Sequence, residues 1–194
     1  VLLKMKREIE DKTSGLQAEN PGSKWPKITI GALRDDRTLS WSDALTLRQI
    51  CDTFKDSLQK VQINIDALSI VIFHCRSLER RLSTEIISLN DPRNFEVSSV
   101  DHADEDVVSH AKYIAKTMDQ FSSAKLAEYW PNLQKQGNRE GHYRASFMQA
   151  TLVHDLKVVP DVIENFRRAV DRQLPGLYCW FKDESLHMTV RALA

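Results

Sequence analysis

Residues 186–193 alternate apolar and polar side chains without a break and read Leu186-His187-Met188-Thr189-Val190-Arg191-Ala192-Leu193. A period of two residues is that of a β-strand, so strict alternation directs His187, Thr189 and Arg191 to one face and the apolar residues to the other. Side chains two residues apart on a strand stand about 6.6 Å from each other. An imidazole and a hydroxyl at that spacing can reach different oxygens of one phosphate group.

The segments before this strand predict a compact unit of helix and strands. Residues 160–174 carry Ile163, Phe166, Val170 and Leu174 at helical spacing. Residues 177–181 predict a short strand, and the acidic turn Asp183-Glu184-Ser185 follows it. Residues 146–153 predict one more strand, which precedes the helix.

The first half of the chain also alternates strand and helix patterns. Residues 27–33 have the period of a strand, and Ser40-x-x-Asp43 is typical of a helix start, which predicts a helix over residues 43–58. Residues 61–73 and 82–89 predict two further strands, joined by a loop that carries Arg76, Arg80 and Arg81.

The middle of the chain predicts a linker and a helical segment. Residues 90–102 are polar and lack periodicity, and the apolar spacing that follows predicts a helix over residues 107–121. We therefore expect an α+β protein with lobes at 1–89 and 103–194 joined by the linker 90–102. The two similar lobes would carry antiparallel sheets that form a central cleft, with the helices outside.

Composition excludes several classes of function. The chain has 194 residues with 27 basic and 27 acidic side chains, so its net charge gives no argument for binding a polyanion over a broad surface. No apolar run is long enough to span a bilayer, so no membrane is expected. The sequence contains no phosphate-binding glycine loop, nucleophile elbow or metal-ligand cluster, so neither a cofactor nor a metal is expected. Three widely spaced cysteines are typical of a reduced intracellular protein, in the cytoplasm or the nucleus.

Residues 146–193 resemble the two-histidine phosphoesterase superfamily, which includes the LigT-like RNA cyclic phosphodiesterases. The resemblance rests on a strand reading Leu-His-x-Thr at 186–189, preceded by a helix, a strand and a short acidic loop. It implies that His187 and Thr189 are catalytic and act on a nucleotide or an RNA end. A solvated strand face is the ordinary interpretation of an isolated His-x-Thr.

Family members carry a second such motif on a related strand, and the best counterpart here is Trp25-Pro26-Lys27-Ile28-Thr29-Ile30, with Lys27 where histidine is expected. The half that resembles the usual second lobe comes first. Either the chain is permuted relative to the family, its segments have been rearranged, or Lys27 is unrelated to the second motif.

The resemblance implies acid–base hydrolysis of a 2′,3′-cyclic phosphate, in which one histidine accepts a proton and the other donates one. Lysine ordinarily keeps its proton, so Lys27 would bind phosphate or donate, and we expect Thr29, Arg191 and Tyr178 to bind substrate beside it. The alternative is a catalytically degenerate phosphoesterase-like fold that serves as an interaction module for a protein or RNA.

Two other histidines have competing interpretations. Residues 134–141 predict a polar loop. His142 and Tyr143 follow it, beside Arg139 and Arg144, and either line a phosphate pocket or belong to a flexible basic loop. His154-Asp155 reads as a turn at a strand end, with an oriented imidazole as the alternative.

Overall fold

The computed structural model describes residues 2–16, 27–89, 111–112, 114–116, 119, 122, 124–128, 137–144 and 148–193. The expected linker 90–102 lies outside these ranges. Within the expected helix of residues 107–121, the described residues 111–112, 114–116 and 119 are helical.

The described residues combine helices with antiparallel strands, which confirms an α+β fold class. The helices are α1 (Leu2–Lys12), α2 (Trp41–Gln59), α3 (Arg139–Tyr143) and α4 (Asp161–Gln173). The strands are β1 (Gly31–Leu33), β2 (Ala67–Phe73), β3 (Arg81–Ser88), β4 (Gln149–Asp155), β5 (Tyr178–Trp180) and β6 (His187–Ala192). None of these helices is both long and apolar enough to cross a membrane.

Four of the strands form one antiparallel sheet in the order β3-β2-β4-β6. Strands β2 and β3 come from the first half of the chain, whereas β4 and β6 come from the second half. The central pairing, β2 with β4, joins the two halves through five residue pairs from Ser69↔Val153 to Phe73↔Gln149. Because the halves share a sheet, the expected arrangement of two lobes around a cleft is not confirmed.

The segment 28–33 runs beside both β5 and β6. Gly31 pairs with Trp180 in the β1-β5 ribbon, and Ile28 forms an antiparallel bridge with Met188 of β6. Between these two pairings the first segment covers three residue steps, from 31 to 28, whereas the segment opposite covers eight, from 180 to 188. The longer segment contains the 3₁₀ turn Asp183–Ser185, which therefore projects from an otherwise continuous pairing.

Helix α2 begins where the sequence predicts. The Ser40 side chain accepts a hydrogen bond from the Asp43 backbone N–H at 3.1 Å, and the Asp43 carboxylate accepts one from the Ser40 N–H at 3.0 Å. This reciprocal pair satisfies two backbone donors that a helix start otherwise leaves without partners. Helices α2 and α4 then pack together, with Phe54 and Phe166 edge to face at 5.7 Å between ring centroids.

The β1-β5 ribbon lies against the core between α2 and α4. The buried residues of this core are Leu33, Leu39, Ala44, Ile50, Leu126, Val170, Leu174 and Leu177. Helix α1 covers a different core at the four-stranded sheet, where Met5 and Ile9 pack with Leu68, Leu152 and Met188. The apolar faces of α1, α2 and α4 thus cover two sheet surfaces, which is the layered arrangement expected of an α+β fold.

Three local expectations are wrong. Residues 61–66 form no strand, although Ile63 and Ile65 pack into the core under α1, so their alternation reflects burial without a partner strand. Part of the expected loop 134–141 begins α3, which Asn138 caps by accepting from the Gly141 N–H at 2.9 Å. His154-Asp155 belongs to β4, since both residues pair with β6.

Candidate functional site

The 3₁₀ turn before β6 fixes the imidazole of His187. His187 Nδ1 lies 2.7 Å from the Ser185 carbonyl oxygen, and a carbonyl can only accept a hydrogen bond. Nδ1 therefore carries a proton and donates it to Ser185. In the neutral ring this leaves Nε2 as the proton acceptor.

The surroundings of His187 favour the neutral ring. Burial lowers the pKa of His187 below its ordinary 6.5, and the nearby Arg81 charge lowers it further. The hydrogen bond to Ser185 and the Asp155 carboxylate act in the opposite direction, but they do not outweigh the burial. At neutral pH the imidazole is therefore unprotonated at Nε2 and able to accept a proton.

Asp155 lies directly opposite His187 in the pairing of β4 with β6. Arg81 donates to both carboxylate oxygens of Asp155, at 2.6 and 3.2 Å, and Ser69 Oγ donates to one of them at 2.8 Å. Burial tends to raise the pKa of Asp155, but the hydrogen bonds from Arg81 and Ser69 and the Arg81 charge lower it overall. The result is an ionised carboxylate held rigidly beside a neutral imidazole.

The bridge between Ile28 and Met188 brings the two sequence motifs side by side. In an antiparallel pair the residues that flank a bridge face each other on the opposite side of the sheet. Thr29 is therefore opposite His187, and Lys27 is opposite Thr189. Both Lys27 and Thr29 are exposed, whereas His187 and Thr189 are half-buried.

Arg191 does not share this face, and the expectation of strict alternation is wrong at that point. Thr189 pairs with Val153, but Arg191 pairs with Leu152, so Val190 is an extra residue that shifts the register. The bulge turns Arg191 to the surface covered by α1, where its guanidinium lies 3.7 Å from Glu10 and its side chain is only 3% exposed.

Tyr178 also lies apart from the imidazole. Its ring stacks on Trp180 with centroids 5.4 Å apart and packs against the core between α2 and α4. The Trp180 indole donates to Asp171 of α4 at 2.8 Å. These contacts account for the aromatic pair as packing of the β1-β5 ribbon.

The sequence patterns did not identify the Ser69–Arg81–Asp155 cluster. Ser69 stands inside an apolar strand, the sequence places Arg81 among loop arginines, and His154-Asp155 is typical of a turn at a strand end. The local signal in the sequence is a serine within an apolar run, and it does not reveal the cluster, because the three residues meet through strand pairings that their spacing in the chain does not show.

A basic cluster lies around α3. The Arg139 guanidinium carbon is 3.2 Å from the centroid of the Tyr143 ring, and that of Arg80 is 5.6 Å from it. Arg139 also pairs with the buried Glu79 carboxylate at 3.3 Å, and Glu79 accepts from the Lys182 backbone N–H at 3.2 Å. The loop before β3 is thereby fastened to the segment that carries the 3₁₀ turn.

Among the described residues, no group of three or more histidine, cysteine or acidic side chains is arranged to hold a metal ion. Comparisons with protein-family models, with curated proteins and with solved structures gave no significant match to this chain. Its function therefore has to be argued from the site itself.

Proposed function

We propose that this chain binds and hydrolyses a nucleotide or RNA phosphodiester of the 2′,3′-cyclic type, with His187 transferring the proton. The observation that carries the proposal is the bridge between Ile28 and Met188, which sets Lys27 and Thr29 across from Thr189 and His187. The substrate would lie where residues 27–30 meet β6, a narrower position than the cleft between two lobes that the sequence suggested.

The chemistry of these groups suits a phosphodiester. A neutral imidazole with an accepting Nε2 can remove a proton from an attacking water. A threonine hydroxyl can donate a hydrogen bond to a phosphate oxygen, and a lysine ammonium is a compact charge that commonly binds phosphate. The two facing segments together carry one proton acceptor, two hydroxyls and one cation, the groups that such a substrate needs.

The test is hydrolysis of 2′,3′-cyclic AMP, followed by chromatography of the products. Loss of a general base typically costs about 10²–10⁴-fold in rate, so we expect that decrease in kcat for His187→Ala. Lys27→Ala should mainly raise KM, while the exposed Lys60→Ala at the end of α2 is a matched control with unchanged kinetics. Turnover that survives His187→Ala would remove this residue from the mechanism.

A second candidate is an interaction module, and the exposed strand β3 favours it. This strand is at the edge of the four-stranded sheet, and Leu82 and Ile86 are 52% and 69% exposed. An edge with apolar side chains can pair with a strand of another protein. The same assay separates the candidates, because an interaction module neither hydrolyses the cyclic nucleotide nor binds it through His187.

A further inference from the structure

We propose that Asp155 is a positioning residue of His187 and that Arg81, bound to Asp155 beside Ser69, offsets the attraction of this carboxylate for a proton, so that the imidazole serves as proton acceptor. This inference rests on the proposed function and assigns His187 its half of the acid–base chemistry. It also brings Ser69, Arg81 and Asp155 into the site.

The geometry ties the carboxylate to the imidazole through the backbone. Asp155 and His187 are directly paired, so their side chains leave the same face of the sheet. With one oxygen bound by Ser69 and both by Arg81, the Asp155 carboxylate has little freedom to rotate. The Arg81 guanidinium is held further by its donation to the Leu78 carbonyl at 3.2 Å.

The charges that face His187 come from separate elements and oppose one another. Asp155 on β4 draws a proton toward the imidazole, whereas Arg81 at the start of β3 repels it. Lys27 faces Thr189 from the segment beside β6. On the turn itself, Asp183 is paired with Arg167 at 2.6 Å, and Lys182 and Glu184 are exposed.

The opposing charges of Asp155 and Arg81 bear on whether His187 accepts or donates a proton in the reaction. A buried carboxylate beside a histidine would by itself favour the protonated imidazolium, which could only donate. Burial of His187 disfavours the imidazolium, and because Arg81 offsets the charge of Asp155, the imidazole stays neutral and its Nδ1–H remains directed at Ser185. Nε2 can then take the proton of water as the water oxygen bonds to phosphorus and the bond to the ribose oxygen breaks. The departing oxygen takes its proton from a different group, for which the Lys27 ammonium is the neighbouring donor.

The test is an NMR titration of the imidazole nitrogens of the whole chain, with the His187 signals assigned by their loss in His187→Gln. In Asp155→Asn we expect the titration midpoint of His187 to fall, because an attractive negative charge is gone. In Arg81→Gln we expect it to rise, because the carboxylate is no longer neutralised. Arg81→Lys keeps the charge and should remain near the wild type.

Arg139→Gln provides the matched control. It removes an arginine that is also ion-paired with a carboxylate, but the charge of Arg139 acts on His142. We expect the titration of His142 to move in this variant while that of His187 stays unchanged. Circular dichroism shows which variants are folded, and if Asp155→Asn is not, Arg81→Gln and its lysine counterpart decide the question.

Shifts of opposite sign in Asp155→Asn and Arg81→Gln would support the proposal. Identical midpoints, or shifts of one sign in both variants, would overturn it, because a cluster with only a structural role would not shift the His187 midpoint in opposite directions. The titration needs no substrate. An absence of cyclic-nucleotide hydrolysis would therefore count against the proposed function without changing what the His187 midpoints show. Where hydrolysis is present, the acid limb of kcat/KM should move in the same direction as the His187 midpoint.

Discussion

Ile28 lies opposite Met188 in an antiparallel bridge, although 160 positions separate them in the chain. The bridge extends the four-stranded sheet toward the β1-β5 ribbon, so the segment 28–33 pairs with residues on both sides of the 3₁₀ turn. A single contact of this kind brings together two polar motifs from opposite ends of the sequence.

The bridge predicts a specific cross-link. Residues opposite each other in an antiparallel pair have Cα atoms about 4.5–5.5 Å apart, within the range that a disulfide spans. In a background in which Cys51 is replaced by serine, we expect Thr29→Cys with His187→Cys to oxidise readily to an intramolecular disulfide, detected by a mass loss of about 2 Da, one hydrogen from each thiol. The double variant Thr29→Cys with Ala192→Cys should not form this disulfide, because residue 192 lies about 16 Å further along the strand than residue 187. Equal cross-linking of both pairs would contradict the register.

Gly31 is required by its contact with Trp180. A Cβ at this position would lie 2.7 Å from the Trp180 ring and 2.8 Å from the Cys179 backbone oxygen. The ring could shift, but the oxygen belongs to the paired strand. We expect Gly31→Ala to lower the free energy of unfolding by about 1–3 kcal/mol, as overpacking does, measured by urea denaturation. Ser83→Ala on exposed β3 should change it by less than about 0.5 kcal/mol. A neutral Gly31→Ala would mean that the ribbon is looser than described.

Local signals in the sequence predicted the elements well, because their causes are local. The Ser40–Asp43 box marks the start of α2 within two residues, since a cap depends on neighbours three positions apart. Alternation likewise located β3, β5 and β6 to within a residue or two. In α2 and β6 the amphipathic pattern records which side of the element is buried.

What the sequence could not supply is the pairing between distant strands. Strict alternation places Arg191 on the face of His187, because the sequence pattern contains no sign of a bulge. The bulge arises from the register of β6 with β4. The same limit applies to the contacts of Asp155, because the strand pairings of the sheet set it opposite His187 and within reach of Arg81. The division into two lobes followed from the order of elements, but β2 pairs with β4 across that division.

Buried Arg167 on α4 stabilises the segment that positions His187. Its guanidinium donates to the Ile30 and Phe181 carbonyls at 3.2 and 3.1 Å and to Asp183 at 2.6 Å. In Arg167→Leu the Phe181 carbonyl loses the guanidinium donor, the Ile30 carbonyl keeps only the donation of the Phe181 N–H, and the half-exposed Asp183 returns to water. We therefore expect a loss of about 2–4 kcal/mol in the free energy of unfolding.

The next residue offers a matched control for this change. Arg168 is exposed and contacts Asn165 at 3.2 Å, so Arg168→Leu should cost less than about 0.5 kcal/mol. Arg167→Lys keeps the charge without the planar fork and should fall between the two. Urea denaturation monitored by tryptophan fluorescence measures all three. Equal effects at the two positions would show that the buried contacts contribute nothing.

His142 predicts how stability depends on pH. Burial, with added repulsion from Arg76 and Arg139, lowers the pKa of His142 from 6.5 to about 4. Between these two values the unfolded chain carries a proton on this residue that the folded chain does not. The free energy of unfolding therefore falls as pH decreases through that window, and the full contribution is present above pH 6.5.

Replacing the imidazole should remove this dependence. In His142→Gln, the decrease in the free energy of unfolding between pH 7 and pH 4.5 should be smaller than in the wild type, even though the variant loses the contact of His142 with Phe181, whose ring centroid is 5.2 Å away. His187 contributes a slope of the same sign, and Asp155, with its lowered pKa, contributes only as pH falls below about 3.8. Arg144→Ala, at an exposed position beside the same helix, should keep the wild-type slope. Urea denaturation at the two pH values measures the difference, and an unchanged slope in His142→Gln would show that this imidazole titrates freely in the folded protein.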